Sequence, residues 1–278
     1  MEKPIVTIIG HTCIDHNTIN GTSYEKWGSS AMYIAKYLSK EFNITSRIVS
    51  SYGHDFVKYR DDFIFLEPPS GYTTLLYKNV VTNGNRIQFC HHSNSSPPIR
   101  ISRHVAEILR KTDILVVAPM LTNYDEKYIK QVMQYTPEQT FKVLLPQGYM
   151  RHINDKNEIE KREFSEAKYV LPYFDAVIAS DEDCDNALLV AKKWADYKKG
   201  LHIVITQAEK GATVFDDSTV VQVPTTPIPF SEIKNPVGSG DMFSAQFAIS
   251  MYNGLRPSEA VDQANKATAK ALLSDPLL

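Results

Sequence analysis

"NPVGSGDMFSAQFAISMYNG", residues 235–254, sets a turn with two glycines and one carboxylate directly before an apolar helical pattern. Phe243, Phe247 and Met251 recur at i, i+4 and i+8, Gly254 suits a C-cap, and Pro257 suits the first turn of the next helix. A helix start presents unpaired N–H groups and a partial positive charge, so it attracts anions, phosphate among them. Gly238 and Gly240 allow a tight bend and a close approach of ligand to backbone. Asp241 then reads either as a first-turn carboxylate complementing the helix dipole or as a group placed to act on something bound at that anion site.

Working outward, residues 101–207 alternate helical patterns with short β-branched runs. The helices are expected at 101–111, 124–135, near 157–169 and at 181–199. The strands are "DILVVAP", "FKVLLP", "DAVIAS" and "HIVITQ". This spacing predicts parallel strands joined by helical crossovers. "PIVTIIGH" (4–11) reads as a buried strand, "SSAMYIAKYLSK" as a helix, "TSRIVSSYG" as a second strand, and "GATVF" and "TVVQV" as two further strands. The runs "TTLLYKNV" and "RIQFCHH" flank Asn83-Gly84, a tight-turn dipeptide, so a hairpin standing away from the main sheet is expected. The final helix carries Ala260, Ala264, Ala267 and Ala271 on one side, which permits close packing.

The 278 residues are 43% hydrophobic and 22% charged, which suits a globular fold, and the net charge of −2 provides no basic field for nucleic acid or an anionic membrane surface. With no leader-like segment and no long apolar run, a cytoplasmic protein with a small-molecule partner is expected. Cys13, Cys90 and Cys184 are scattered and read as packing residues. Adjacent His91 and His92 would point to opposite faces of a strand, and read as solvated or structural. No Walker-type loop, dinucleotide fingerprint, H-E-x-x-H or G-x-S-x-G motif is present. A carboxylate at a helix N-terminal anion site, late in an α/β chain, with a second glycine turn at "WGSSA", suits phosphoryl transfer.

These motifs, in this order, resemble the ribokinase-like carbohydrate kinases, the PfkB family, along nearly the whole chain. The resemblance implies a three-layer α/β/α sandwich with a central, mostly parallel sheet and a small β lid from about 12–27 and 72–92, the 278 residues forming one domain. "GSGD" resembles the C-terminal signature, implying Asp241 as catalytic base and Gly238, Ser239 and Gly240 as an anion hole. "IIGHTCID" implies Asp15 as a ligand of substrate hydroxyls, and "WGSSAMYIA" places Gly28, Ser29 and Tyr33 near the substrate. "VITQAEKGATVF" and "QANKATA" imply Thr206, Gly211 and Asn265 beside the nucleotide.

Several positions depart from the family pattern. Ser29 and Ala208 stand where glycines are usual, Tyr33 where an asparagine is, and Asn235-Pro236 where Asp-Thr is. "SDED" replaces the N-x-x-E magnesium motif, so the metal would fall to Asp183 or to Glu182, or the run is simply an acidic helix start. Arg151, just past a predicted strand end, reads either as a crevice residue or as a solvated one. The resemblance implies ATP, Mg2+ and transfer of the γ-phosphate to a hydroxyl of a sugar or cyclitol. A nucleoside kinase or a catalytically weak binding protein of the same fold are the alternatives. A small open lid sheet has exposed edges whose pairing would give a homodimer.

Overall fold

Apolar β-branched runs too short for helices build the body, and polar alternating runs build what stands outside it. The computed structural model describes residues 3–19, 21–82, 85–217, 219–234 and 236–273. The chain enters through β1 (Val6–Gly10), leaves the body as β2 (Cys13–Ile19) and β3 (Thr22–Gly28), and returns through α1 (Ser30–Phe42). β4 (Arg47–Val49), a 3-10 segment over His54–Asp62 and β5 (Ile64–Phe65) lead to a second excursion, β6 (Leu75–Thr82) and β7 (Asn85–His91). Then follow α2 (Arg103–Leu109), β8 (Ile114–Ala118), α3 (Glu126–Met133), β9 (Phe141–Leu144), β10 (Arg151–Ile153) and β11 (Ile159–Lys161). The chain continues with α4 (Ala167–Val170), β12 (Ala176–Ser180), α5 (Ala187–Ala195), β13 (His202–Thr206), β14 (Ala212–Asp216) and β15 (Thr219–Val223), and closes with α6 (Ser239–Tyr252) and α7 (Pro257–Leu273).

The main sheet runs β15-β14-β13-β12-β9-β8-β1-β4-β5, parallel from β13 to β5, with β14 and β15 antiparallel at one edge. Strand alternation divides its core in two. Ile8 and Val116 face α1, α6 and α7, where Ala31, Phe247 and Ala260 are buried, whereas Ile9 and Val117 face α2, α3 and α5, where Val105, Ile129 and Ala191 are buried. This is the expected ribokinase-like sandwich. The small sheet has the order β3-β2-β6-β7, so the two excursions join side by side with β2 parallel to β6. The Asn83-Gly84 turn itself lies outside the described residues.

Two expected helices are corrected. Residues 157–169 begin as the turn and second strand of the β10–β11 hairpin and continue without regular structure, with helix only at Ala167–Val170. Turn chemistry overrides helix propensity there: the Asn154 side chain accepts from the N–H groups of Lys156 and Glu158, and Asn157 adopts φ 62°. The hairpin lies against the edge of β7, pairing Phe89 with Glu158, which leaves β3 as the open edge of the small sheet. The helix expected at 181–199 is confined to Ala187–Ala195, because Asp183 folds back to accept from the Ser180 N–H at 3.0 Å and holds the preceding run as turns.

Candidate active site

β1 ends at Gly10, and the chain turns into the small sheet at its C-terminal end, where α/β ligand crevices form. His11 secures that exit. Its ring stacks on Tyr124, Nδ1 accepts from the Met120 N–H at 3.0 Å, and burial lowers its pKa to about 4. Asp15 follows on β2 and is 5% exposed. Its carboxyl lies against Gly28 on the neighbouring strand, so any Cβ at Gly28 would collide with it. The second glycine turn therefore exists to admit the first carboxylate.

Ser29 caps α1, its hydroxyl accepting from the Met32 N–H, at φ 95° and ψ 152°. That is a region adopted almost only by glycine. One turn into α1, Tyr33 lays its ring against Gly238, the αL residue (φ 83°) that caps α6, and a Cβ there would strike the ring. Tyr33 is 4% exposed, and its hydroxyl is buried with no hydrogen-bond partner. Burial raises its pKa, and Asp15 and Asp241 raise it further, which places the phenol within range of both carboxylates.

At the start of α6 the Ser239 N–H is taken by the Pro236 carbonyl, and that of Met242 by Gly238. The N–H groups of Gly240 and Asp241 have no backbone acceptor among the described residues. Open space lies where a Gly240 side chain would be. Two amides, those of Gly240 and Asp241, are thus left open at the helix start, whereas Ser239, expected to contribute one, spends its amide on the turn.

Asp241 is half-buried, and its pKa rises from 3.8 to about 6. Burial is the main cause. A hydrogen bond from Ser30 and the positive charge of Arg151 pull the other way, and Asp15 and Asp183 add to the rise. Asp15 and Asp183 therefore both lie within electrostatic reach of Asp241. Glu182 does not join them: it is exposed, with its N–H bound to Ser180 Oγ at 3.2 Å. Among the described residues no three His, Cys, Asp or Glu side chains form a metal cage. Asp183 is partly engaged by the Ser180 N–H and by Gln147.

Arg151 is a crevice residue. The β10–β11 hairpin brings its guanidinium 6.0 Å from the Tyr77 ring centre, where it also acts on Cys13, Cys90 and Asp241. Ser30 and the hairpin carrying Arg151 were missed in the sequence; Asn154 and Asn157, both turn formers, were the signal for the hairpin. On the other flank, Thr206 ends β13 and Gly211 (φ 88°) abuts the Val223–Thr225 backbone. Asn265 is 7% exposed and gives its Nδ2 to the carbonyls of Val223 and Pro224 at 3.2 and 3.3 Å. Its amide donors are therefore committed to that loop.

A ribokinase-like fold with carboxylates gathered at a helix N-terminus defines an alcohol-acceptor phosphotransferase. The sequence pattern of the pfkB family carbohydrate kinases matches residues 71–275, and the chain belongs to that family. A comparison with curated proteins finds no match. Solved structures share the fold. A pyrophosphate-dependent kinase in the ribokinase family, solved as a sulfate complex, superposes with a TM-score of 0.79 at 18% identity, covering 99% of this chain and 98% of that one. Arabidopsis thaliana ribokinase complexed with ribose and ATP gives 0.73 at 15% identity, covering 99% and 95%. Adenosine kinase from Sinorhizobium meliloti gives 0.74 at 13%, covering 99% and 96%.

Proposed function

We propose that the protein is an ATP-dependent kinase that transfers the γ-phosphate to a hydroxyl of a small polyol, a sugar or a cyclitol. The observation that carries this reading is the Asp241 carboxyl, raised in pKa, beside unfilled amides at the start of α6 and within range of Asp15. Asp15 accepts hydrogen bonds from the polyol hydroxyls and orients one of them, and Asp241 takes its proton as the bond to phosphorus forms. The Gly240 and Asp241 amides and Arg151 face the charge that develops on the transferred phosphoryl. The four-stranded sheet covers the acceptor as a lid.

Asp183 would hold magnesium, in part through water, with donor phosphates completing a shell that needs no protein cage. When bound, magnesium supplies neutralisation of the donor's charge. A second reading, pyrophosphate as donor, is favoured by one observation: Asn265, expected near the adenine, has committed its donors to the Val223–Pro224 backbone. Turnover with ATP and with pyrophosphate across a panel of sugars, cyclitols and nucleosides decides the donor.

Asp241→Asn is expected to lower kcat by about 10²–10⁴ with donor binding retained, since a general base acts in the transition state. Near-normal turnover would remove Asp241 from the chemistry. Gly240→Val should fold, having open space and an ordinary φ, yet bind the donor poorly. Gly238→Ala should instead destabilise the protein by forcing Tyr33 aside.

A further inference from the structure

The register of the small sheet lines up one polar face. Alternation puts Lys26, Asp15, Tyr77 and Cys90 in one row across its four strands, and Tyr24, Asn17, Asn79 and Gln88 in the next row outward. The outer row is a relay of amides. Gln88 Nε2 donates to Asn79 Oδ1 at 2.8 Å, and Asn79 Nδ2 donates to Asn17 Oδ1 at 2.9 Å. The relay ends at Asn17 Nδ2, a buried donor with no partner on a residue 2% exposed. A buried donor left unmet is costly and calls for an acceptor.

One row inward and diagonal to Asn17, Lys26 is half-buried. Its ammonium lies 4.9 Å from the centre of the Tyr33 ring and 5.4 Å from that of Trp27. Burial depresses its pKa and the charge of Asp15 opposes that. The Tyr33 hydroxyl is a second buried group without a partner. The wall therefore offers the Asp15 carboxylate to substrate hydroxyls, and beside it two groups that can only donate, the ammonium of Lys26 lying on the Tyr33 and Trp27 rings and the unpaired amide nitrogen of Asn17.

We infer that the acceptor polyol carries an anionic group, a carboxylate or a phosphate, held on the inner face of the small sheet by Lys26 and Asn17 while Asp15 holds its hydroxyls. An anion has to sit away from Asp15 and Asp241. Asn17 provides that separation, one strand repeat or about 6.7 Å beyond Asp15, roughly the span of a hexose. The inference rests on the kinase reading for the word acceptor, but its test does not require turnover.

Binding is measured by isothermal titration calorimetry, without donor, for two pairs: myo-inositol and its monophosphate, and glucose and glucuronate. The anionic member of at least one pair should bind about tenfold tighter or more, the size of one charge-assisted hydrogen bond. The pair that shows the preference identifies phosphate or carboxylate. Lys26→Met and Asn17→Asp should each abolish it, the latter keeping the oxygen that Asn79 uses. Should Asn17→Asp fail to fold, Lys26→Met decides. Asp241→Asn should keep the preference, which separates failure of this inference from failure of the kinase reading. Equal affinity within both pairs, binding by no anionic member, or a preference that survives Lys26→Met overturns it.

Discussion

Asp241 lies between opposing influences whose signs are known. Burial, Asp15 and Asp183 favour its protonated form, while Ser30 and Arg151 favour the carboxylate. With a pKa of about 6 its carboxylate, the form the proposed base needs, prevails only above that value. In the free enzyme, kcat/KM should rise with pH through an apparent pKa near 6 and level above it. Arg151→Met removes a stabilising charge and should move this acid limb to higher pH. Asp183→Asn removes a repelling one and should move it to lower pH. A pH–rate profile for the three proteins checks all of this, and an unmoved limb in both variants would detach these residues from Asp241. Asp241 itself was legible because glycines, carboxylate and helix are neighbours in the chain. Ser30 was not, because its bond to Asp241 depends on how α1 packs against α6.

Two local departures from the family pattern become physical costs at the level of elements. Ser29 at φ 95° and Ala208 at φ 46° occupy conformations that glycine tolerates and L side chains resist. Ala208→Gly should stabilise by about 1 kcal/mol, the usual penalty of the left-handed region. At Ser29 a cap complicates the sum: glycine costs only a few tenths of a kcal/mol there while relieving the backbone, whereas alanine loses the cap and keeps the strain. Ser29→Gly should therefore exceed Ser29→Ala in stability, by thermal or urea unfolding. The reverse order would mean that the φ carries no strain. The main-sheet strands other than β5 were readable because each announces itself within a few residues, whereas β5 is only two residues long. The β10–β11 hairpin was not readable, because a helix-compatible composition concealed a turn built on two asparagines.

Across the whole molecule, a carboxylate with a raised pKa is a stability liability. Well below its ordinary value of 3.8 Asp241 is protonated both folded and unfolded and contributes nothing. As pH rises toward 6 the unfolded chain ionises first, so the native state loses stability, and above about 6 the loss is complete. Asp241→Asn should then raise the unfolding free energy by up to about 3 kcal/mol at pH 8 and leave it almost unchanged at pH 3.5. Urea titrations at the two values test this; a gain equal at both would assign the stabilisation to something other than ionisation. The polar wall of the small sheet also belongs to this scale. Asn17, Lys26, Asn79 and Gln88 are far apart in the chain, and only inter-strand register makes them neighbours.

The absence of a side chain at Gly28 binds its future to that of Asp15. The space a Cβ would need is occupied by the carboxyl, and every amino acid reachable from a glycine codon by a single base change carries a Cβ. Any missense mutation at the Gly28 codon is therefore felt at Asp15, although a turn and a strand separate the two codons.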